Sequence, residues 1–247
     1  RYGQTFDQLV TSVAAGADVD APVLAEEAWN NVNGLLSDAA QDTSRLGRAV
    51  ERVTRSRSTD GDVTLGPATE TAVEADKSEI VVLASGNLGL ISFTRFDDRA
   101  TRQQLDRAHP GLIDGLAAHA GIGFVMVRDE LEGDVVIGGA GIRYLRDDRV
   151  DGDDPLAPFG PNAADHLRRT SGFTNCPDLL VNSFFDPVTD EGAAFEDLIG
   201  FHGGLGGKQS QPFILTPTDL PPPREPLVGA RSVHELFTSW VTELQQP

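Results

Sequence analysis

The spacing of apolar positions changes from helical to strand-like near residue 79. Over residues 1–58, apolar side chains recur at near-helical spacing, first in FDQLVTSVAAG and then from Trp29 to Val53. Residues 59–78 are polar, contain Gly and Pro and keep no period, which is typical of a linker or a mobile loop. The pattern predicts a helical N-terminal segment over 1–58, a linker over 59–78 and a third region over 79–247.

The third region alternates short apolar runs with helical patterns. IVVLA ends in Ser-Gly-Asn, which predicts a buried strand, a tight loop and a second strand. TRQQLDRAHPGLIDGLAAHA predicts two helices broken at His109-Pro110. Strand-like pieces divided by Gly133 and by Gly138-Gly139 predict a small antiparallel excursion near 122–150.

Further alternation follows towards the C-terminus. NAADHLRRTSGF predicts a helix, PDLLVNSFFD a buried strand, DEGAAFEDLIG a short helix and QPFILTP another strand. SVHELFTSWVTELQQ predicts a terminal amphipathic helix with Ser232 as its N-cap. Strands alternating with helices predict an α/β fold.

Charge and hydrophobicity narrow the classes of function. The net charge of −18 argues against nucleic acid and anionic membranes as partners, because phosphate surfaces attract Lys and Arg clusters. No apolar run reaches the roughly 18–20 residues that span a bilayer, so we expect a soluble domain without direct membrane insertion. Because the chain begins at Arg1 rather than Met, we also expect a piece of a longer protein.

Few residues offer chemistry. Cys176 is the single cysteine, which excludes an internal disulfide, and its apolar context favours a half-buried structural thiol. The histidines show no HExxH or paired ligand spacing, and four of them fit helix surfaces or packing: His109, His119, His166 and His234.

His202 differs, because it lies among glycines in IGFHGGLGG. Glycine lets the backbone approach a ligand closely, so Gly203, Gly204, Gly206 and Gly207 are candidates for a substrate pocket or loop. A histidine in such a loop suits a metal ligand, and a solvent-facing turn is the other interpretation.

Several long stretches resemble one family. They are EEAWNNVNGLLSDAAQDTSRLGR, IVVLASGNLGLISF, HPGLIDGLAAHAGIGFVMVR, GDDPLAPFGPNAADHLRRT and LLVNSFFDPVTDEGAAFEDLIGFHGGLGG. Together they resemble the C-terminal part of actinobacterial proteins of the alkaline-phosphatase superfamily, of the type I phosphodiesterase and nucleotide-pyrophosphatase kind. Longer members of that group are described as holin-like, with membrane segments before this part. The resemblance implies a partial alkaline-phosphatase-like α/β sandwich.

The resemblance also implies a function. The chain would be the C-terminal part of a metal-dependent hydrolase of phosphodiesters or nucleotide pyrophosphates, with a two-metal site of zinc, manganese being the alternative. Gly200-Phe201-His202-Gly203 matches the family's last metal-ligand motif, so His202 becomes the expected ligand. The family's SDHG motif and nucleophile are absent from residues 1–247, and one His cannot hold catalytic zinc. We therefore expect this chain alone to be inactive and the remaining N-terminal part of the protein to complete the site.

Two alternatives come from other classes. One is a degenerate, non-catalytic phosphatase-like binding module attached to a membrane protein. The other is a free-standing binder of small molecules that uses the glycine-rich loop. An upstream nucleophile with Asp and His ligands would favour the enzyme, and ligand-dependent stabilisation of this chain alone would favour the binder.

Overall fold

The described part of the chain comprises residues 6–14, 79–195, 202–223 and 225–245 of a computed structural model, with the backbone of strand pieces at 19–20, 58–59 and 62–63. Most of the predicted helical segment 1–58 and of the predicted linker 59–78 therefore lies outside the described residues. No helix within the described ranges has the length and apolar character needed to cross a membrane.

The described residues form helices and strands in alternation. The helices are α1 (Phe6–Val13), α2 (Arg102–Ala108), α3 (Leu112–Ala118), α4 (Ala163–Ser171) and α5 (Gly229–Leu244). The strands are β1 (Val19–Asp20), β2 (Ser58–Thr59), β3 (Asp62–Val63), β4 (Ile80–Ser85), β5 (Leu88–Phe93), β6 (Ile122–Asp129), β7 (Gly133–Gly138), β8 (Gly141–Tyr144), β9 (Val150–Gly152), β10 (Leu179–Ser183), β11 (Phe185–Asp186) and β12 (Glu191–Gly192).

Eight of the described strands form one mixed sheet, with strand order β1-β4-β5-β10-β6-β7-β8-β9, while β2 with β3 and β11 with β12 form separate two-stranded sheets. The seven strands from β4 to β9 in that order are antiparallel, and β1 pairs with β4 in parallel. The α/β prediction is confirmed as a mixture of helices with a sheet. The antiparallel strands predicted near 122–150 are present, but they belong to the main sheet and are not an excursion from it.

Helices cover both faces of the sheet, and alternation along its strands assigns each side chain to a face. In β6, Val125 and Val127 face the core beneath α1, α2 and α3, whereas Phe124 and Met126 face the core beneath α4. β10 is buried along its whole length, which explains its nearly continuous apolar sequence. The result is a helix–sheet–helix arrangement with two hydrophobic cores.

The break between α2 and α3 follows from local chemistry. Thr101 and Gln104 form a capping box that begins α2. Pro110 disfavours helical backbone at the preceding residue, and His109 ends α2 with φ −133° and ψ 74°. Gly111 then takes φ +83°, in the left-handed region that glycine accepts readily.

Three predictions made from the C-terminal part of the sequence are wrong. The helix predicted for DEGAAFEDLIG is absent over its described part, since Glu191–Gly192 pairs as β12 with β11. QPFILTP is not a strand, because none of the described strands pairs with it and its flanking prolines lack an N–H to donate. Ser232 does not cap α5, whose N-cap is Val228; the Ser232 hydroxyl donates back to the Val228 carbonyl at 2.7 Å.

Candidate functional site

Two buried asparagines meet at one end of the sheet. Asn87 lies in the turn between β4 and β5, and Asn182 lies near the end of β10; each is 1% exposed. The pairing of β10 with β5 places Asn182 opposite Leu88, the residue after Asn87. The backbone N–H of Ser183 also donates to the Asn87 carbonyl at 3.0 Å. The register of the sheet therefore brings together two amide side chains that are distant in sequence.

These side chains hold residues 202–207, here called the glycine loop. The Gly204 N–H donates to Asn87 Oδ1 at 2.8 Å, and the Leu205 N–H donates to Asn182 Oδ1 at 2.6 Å. Asn87 Nδ2 and Asn182 Nδ2 donate to the Leu205 carbonyl at 2.9 and 3.2 Å. Each amide thus serves as donor and acceptor, and the loop backbone is paired much as it would be beside another strand.

Close packing between the loop and its neighbours leaves no room for a side chain at Gly204 in the loop or at Gly86 in the β4–β5 turn. A Cβ on Gly204 would lie 2.4 Å from Asn182 Oδ1, well inside van der Waals contact. A Cβ on Gly86, in the β4–β5 turn, would lie 2.2 Å from the His202 carbonyl oxygen. Gly204 therefore packs against both asparagines, whereas Gly203 is exposed and a Cβ there would lie 3.2 Å from the Ser85 carbonyl oxygen.

The other two predicted pocket glycines face a cleft. Gly206 has φ +100° and Gly207 φ +69°, conformations that side-chain-bearing residues rarely adopt. A Cβ on Gly206 would lie 2.9 Å from the ring of Phe185. Both residues border a cleft of about 560 Å³ between the glycine loop and the turn that precedes α4. These two glycines therefore form part of the cleft wall, although Gly206 itself is buried.

His202 has a fixed backbone and an exposed side chain. Its carbonyl oxygen accepts the N–H of Asn87 at 3.0 Å, which ties it to the β4–β5 turn. Among the described residues, no group of three or more His, Cys, Asp and Glu side chains is arranged to hold a metal ion. The metal-ligand role of His202 and the identity of the metal, zinc or manganese, stay predictions.

The single thiol lies away from this loop. Cys176 is half-buried, as its sequence context predicts. Burial raises the pKa of its thiol, and the Arg99 guanidinium opposes that rise only in part. A thiol in this environment is protonated at neutral pH and is a poor nucleophile.

A buried ion pair explains the polar groups near that thiol. The Arg99 side chain is 8% exposed, lies 3.0 Å from Asp134 Oδ1 and donates to Ser171 Oγ at 3.0 Å. Ser171 in turn donates to the Asp134 carboxylate. These contacts join the end of α4 to the start of β7, so the cluster stabilises the packing of α4 on the sheet.

The two asparagines do not stand out in the amino-acid sequence. In the sequence, Asn87 is typical of a turn residue in Ser-Gly-Asn. Asn182 is a single polar residue near the end of an otherwise apolar strand pattern. A polar amide inside a fully buried strand is nevertheless a signal, because buried polar groups require hydrogen-bond partners.

Comparisons of the chain with family models, with curated proteins and with solved structures find no match. Its resemblance to the phosphatase superfamily therefore stands on the sequence stretches alone.

Proposed function

We propose that this chain contributes His202 and part of the substrate-pocket wall to a metal-dependent phosphoesterase that cleaves phosphodiester or nucleotide pyrophosphate bonds. Its fold would be part of a phosphatase-like α/β sandwich, consistent with helices on both faces of a mixed sheet. Zinc is the metal that the proposal names, and manganese is the alternative. The resemblance of the GFHG segment to a metal-ligand motif supplies the identity of the reaction.

The observation that supports the proposal is that His202 combines a fixed backbone with an exposed side chain. A hydrogen bond from the Asn87 N–H to its carbonyl oxygen fixes its main chain, while its side chain is exposed. A metal ligand needs this combination, because coordination demands a fixed position and a free ring nitrogen. The two buried asparagines beneath the loop make the hydrogen bonds that burial of their amides requires, and these bonds help to fix the position of the loop.

The described residues do not form a complete metal site. Catalytic zinc takes about three protein ligands, of which His202 would supply one. The proposal therefore requires further Asp and His ligands, together with a Thr or Ser nucleophile, from outside the described residues.

The test compares His202→Ala with His234→Ala, which removes an exposed imidazole from α5. The full-length gene product and this chain are both assayed for hydrolysis of bis(p-nitrophenyl) phosphate with zinc or manganese. We expect His202→Ala to lower kcat/KM at least about 100-fold, since even residues that only support metal ligands contribute 10- to 100-fold. Zinc affinity, measured by competition with a chromogenic chelator, should fall in the same variant.

Unchanged turnover and unchanged zinc affinity in His202→Ala would overturn the proposal. Full activity of this chain by itself would contradict the expectation that other residues complete the site.

Exposed apolar side chains on two segments favour the non-catalytic binding module as a second candidate. Phe213 and Leu215 are 89% and 91% exposed in the extended segment after the glycine loop, and Phe237 and Leu244 on α5 are also exposed. Exposed apolar side chains of this size indicate a binding surface where they form a contiguous patch. Lack of hydrolysis by the full-length gene product with either metal would favour this candidate.

A further inference from the structure

One positively charged and one negatively charged side chain line the cleft beside the glycine loop and form an ion pair. Lys208 Nζ lies 3.2 Å from Asp190 Oδ2, and both side chains also reach solvent. Each group keeps hydrogen-bonding capacity, the ammonium as a donor and the carboxylate as an acceptor. The pair therefore offers polar contacts to a ligand without a net charge that would select an anion or a cation.

Three uncharged side chains add groups that donate and accept. Asn162, Ser210 and Gln211 line the cleft, and all three are exposed. Asn162 precedes α4 but makes no side-chain capping bond. Amide and hydroxyl groups each donate and accept, so the cleft presents both kinds of partner from two separate segments of the chain.

The apolar lining of the cleft does not offer an open aromatic face. Phe159 and Phe185 contribute to the lining but are 7% and 6% exposed. A planar base would need such a face for stacking, whereas the C–H surfaces of a saturated ring or chain pack against proline and ring edges. Pro161 and Pro187 are exposed at this cleft.

We propose that this cleft binds a neutral, hydroxyl-rich group, as found in sugars and polyols. Every hydroxyl donates and accepts, which matches the mixture of amide, hydroxyl, ammonium and carboxylate groups along the lining. The volume of about 560 Å³ lies within the usual range for small-molecule pockets.

In the proposed phosphoesterase, the bound group would be the organic part of a sugar or polyol phosphoester, and in this respect the proposal rests on the proposed function. The glycine loop connects the two sites, because His202 stands at its start and Gly206 and Gly207 border the cleft. Binding of the hydroxyl-rich group itself needs neither metal nor turnover, so it can be measured separately.

The experiment is an NMR titration of the ¹⁵N-labelled chain without metal. The probes are methyl α-glucoside for the sugar source and myo-inositol for the polyol source, with adenosine and inorganic phosphate as comparisons. We expect saturable shifts of the Gly206, Gly207 and Lys208 amides with a dissociation constant on the order of millimolar, as befits a small neutral ligand. The tighter of the two probes identifies the source.

Two variants locate the binding in the cleft. Gln211→Ala removes one amide and should weaken binding up to about tenfold, and Ser210→Phe should fill the cleft and abolish it. Both positions are exposed, so neither substitution should impair folding. Gln245→Ala, an exposed glutamine at the end of α5, is the matched control and should bind normally.

Absence of saturable shifts with both hydroxyl-rich probes would overturn the inference. So would saturation by phosphate alone, which would make the cleft an anion site, or by adenosine alone. Binding that persists in Ser210→Phe would place the ligand elsewhere. The same titration on His202→Ala separates this inference from the proposed function, because that variant alters the proposed metal ligand and leaves every cleft residue in place.

Discussion

A methyl group on Gly204 should detach the glycine loop from the asparagines. The backbone of Gly204 is not in the left-handed region, so alanine is excluded there by space and not by backbone strain. Its Cβ would lie 2.4 Å from Asn182 Oδ1, 2.9 Å from the Asn87 carbonyl oxygen and 3.0 Å from Asn87 Cγ. Relief requires the loop to move away by about 1 Å, since ordinary contacts begin near 3.4 Å.

The cost can be worked out from the bonds that this movement breaks. Four hydrogen bonds join the loop to Asn87 and Asn182, at 2.6–3.2 Å. A hydrogen bond contributes a net 0.5–1.5 kcal/mol or so, and a buried amide left unpaired costs about 1–3 kcal/mol. Loss of two or three of these bonds should lower the free energy of unfolding by about 2–4 kcal/mol. At roughly 2–4 °C per kcal/mol, Tm should fall by roughly 4–16 °C.

The assay is thermal and urea unfolding followed by circular dichroism, with Gly172→Ala as the matched control. Gly172 lies after α4 with φ −77°, and its added Cβ would make an ordinary 3.4 Å contact with the Arg169 carbonyl oxygen. We expect the control to unfold like the parent chain. If Gly204→Ala unfolds within about 0.5 kcal/mol of that control, the steric reasoning is refuted.

Two further predictions concern titratable groups. Burial lowers the pKa of His109, whose ring centroid lies 5.0 Å from that of Phe93, and the nearby Glu79 carboxylate opposes this lowering. Because the unfolded chain binds this proton more readily, stability should decrease as the pH falls below about 6.5, by at most about 1.4 kcal/mol per pH unit. Urea midpoints at pH 7.5 and 5.5 should show a smaller acid loss in His109→Gln, and an equal loss would contradict this. Because burial raises the pKa of Cys176, its reaction with iodoacetamide at pH 8 should be slower than that of a free thiol in urea; equal rates would contradict the prediction.

Elements with a local cause could be predicted from the sequence. The strand–turn–strand around Gly86 follows from adjacent apolar runs and a turn, and the break at Pro110 follows from proline sterics. QPFILTP has the composition of a strand, yet strand formation needs a partner edge, which no local pattern specifies. The insertion of β10 between β5 and β6 is likewise a non-local event that periodicity does not encode.

The candidate site divides in the same way. His202 and its glycines are visible in the sequence as an unusual composition; Gly206 and Gly207 line a cleft, and the assignment of that cleft as a substrate pocket stays a prediction. Their partner Asn182 is not visible in this way, because its role depends on a register between distant strands. Composition thus identifies the loop, and only the fold shows that Gly204 packs on the asparagines while Gly206 and Gly207 line the cleft.

The central position of β10 has a consequence for the order in which the chain folds. Val181 pairs with Gly89 on one side and Val125 on the other, so β10 joins a hairpin from roughly 90 residues earlier to the β6–β8 meander. Those two local units can form early, but the sheet becomes continuous only when β10 closes a long loop between them. The glycine loop, which needs Asn182 already in place, assembles after that step. Substitutions in β10 should therefore slow refolding, whereas substitutions in the glycine loop should chiefly accelerate unfolding.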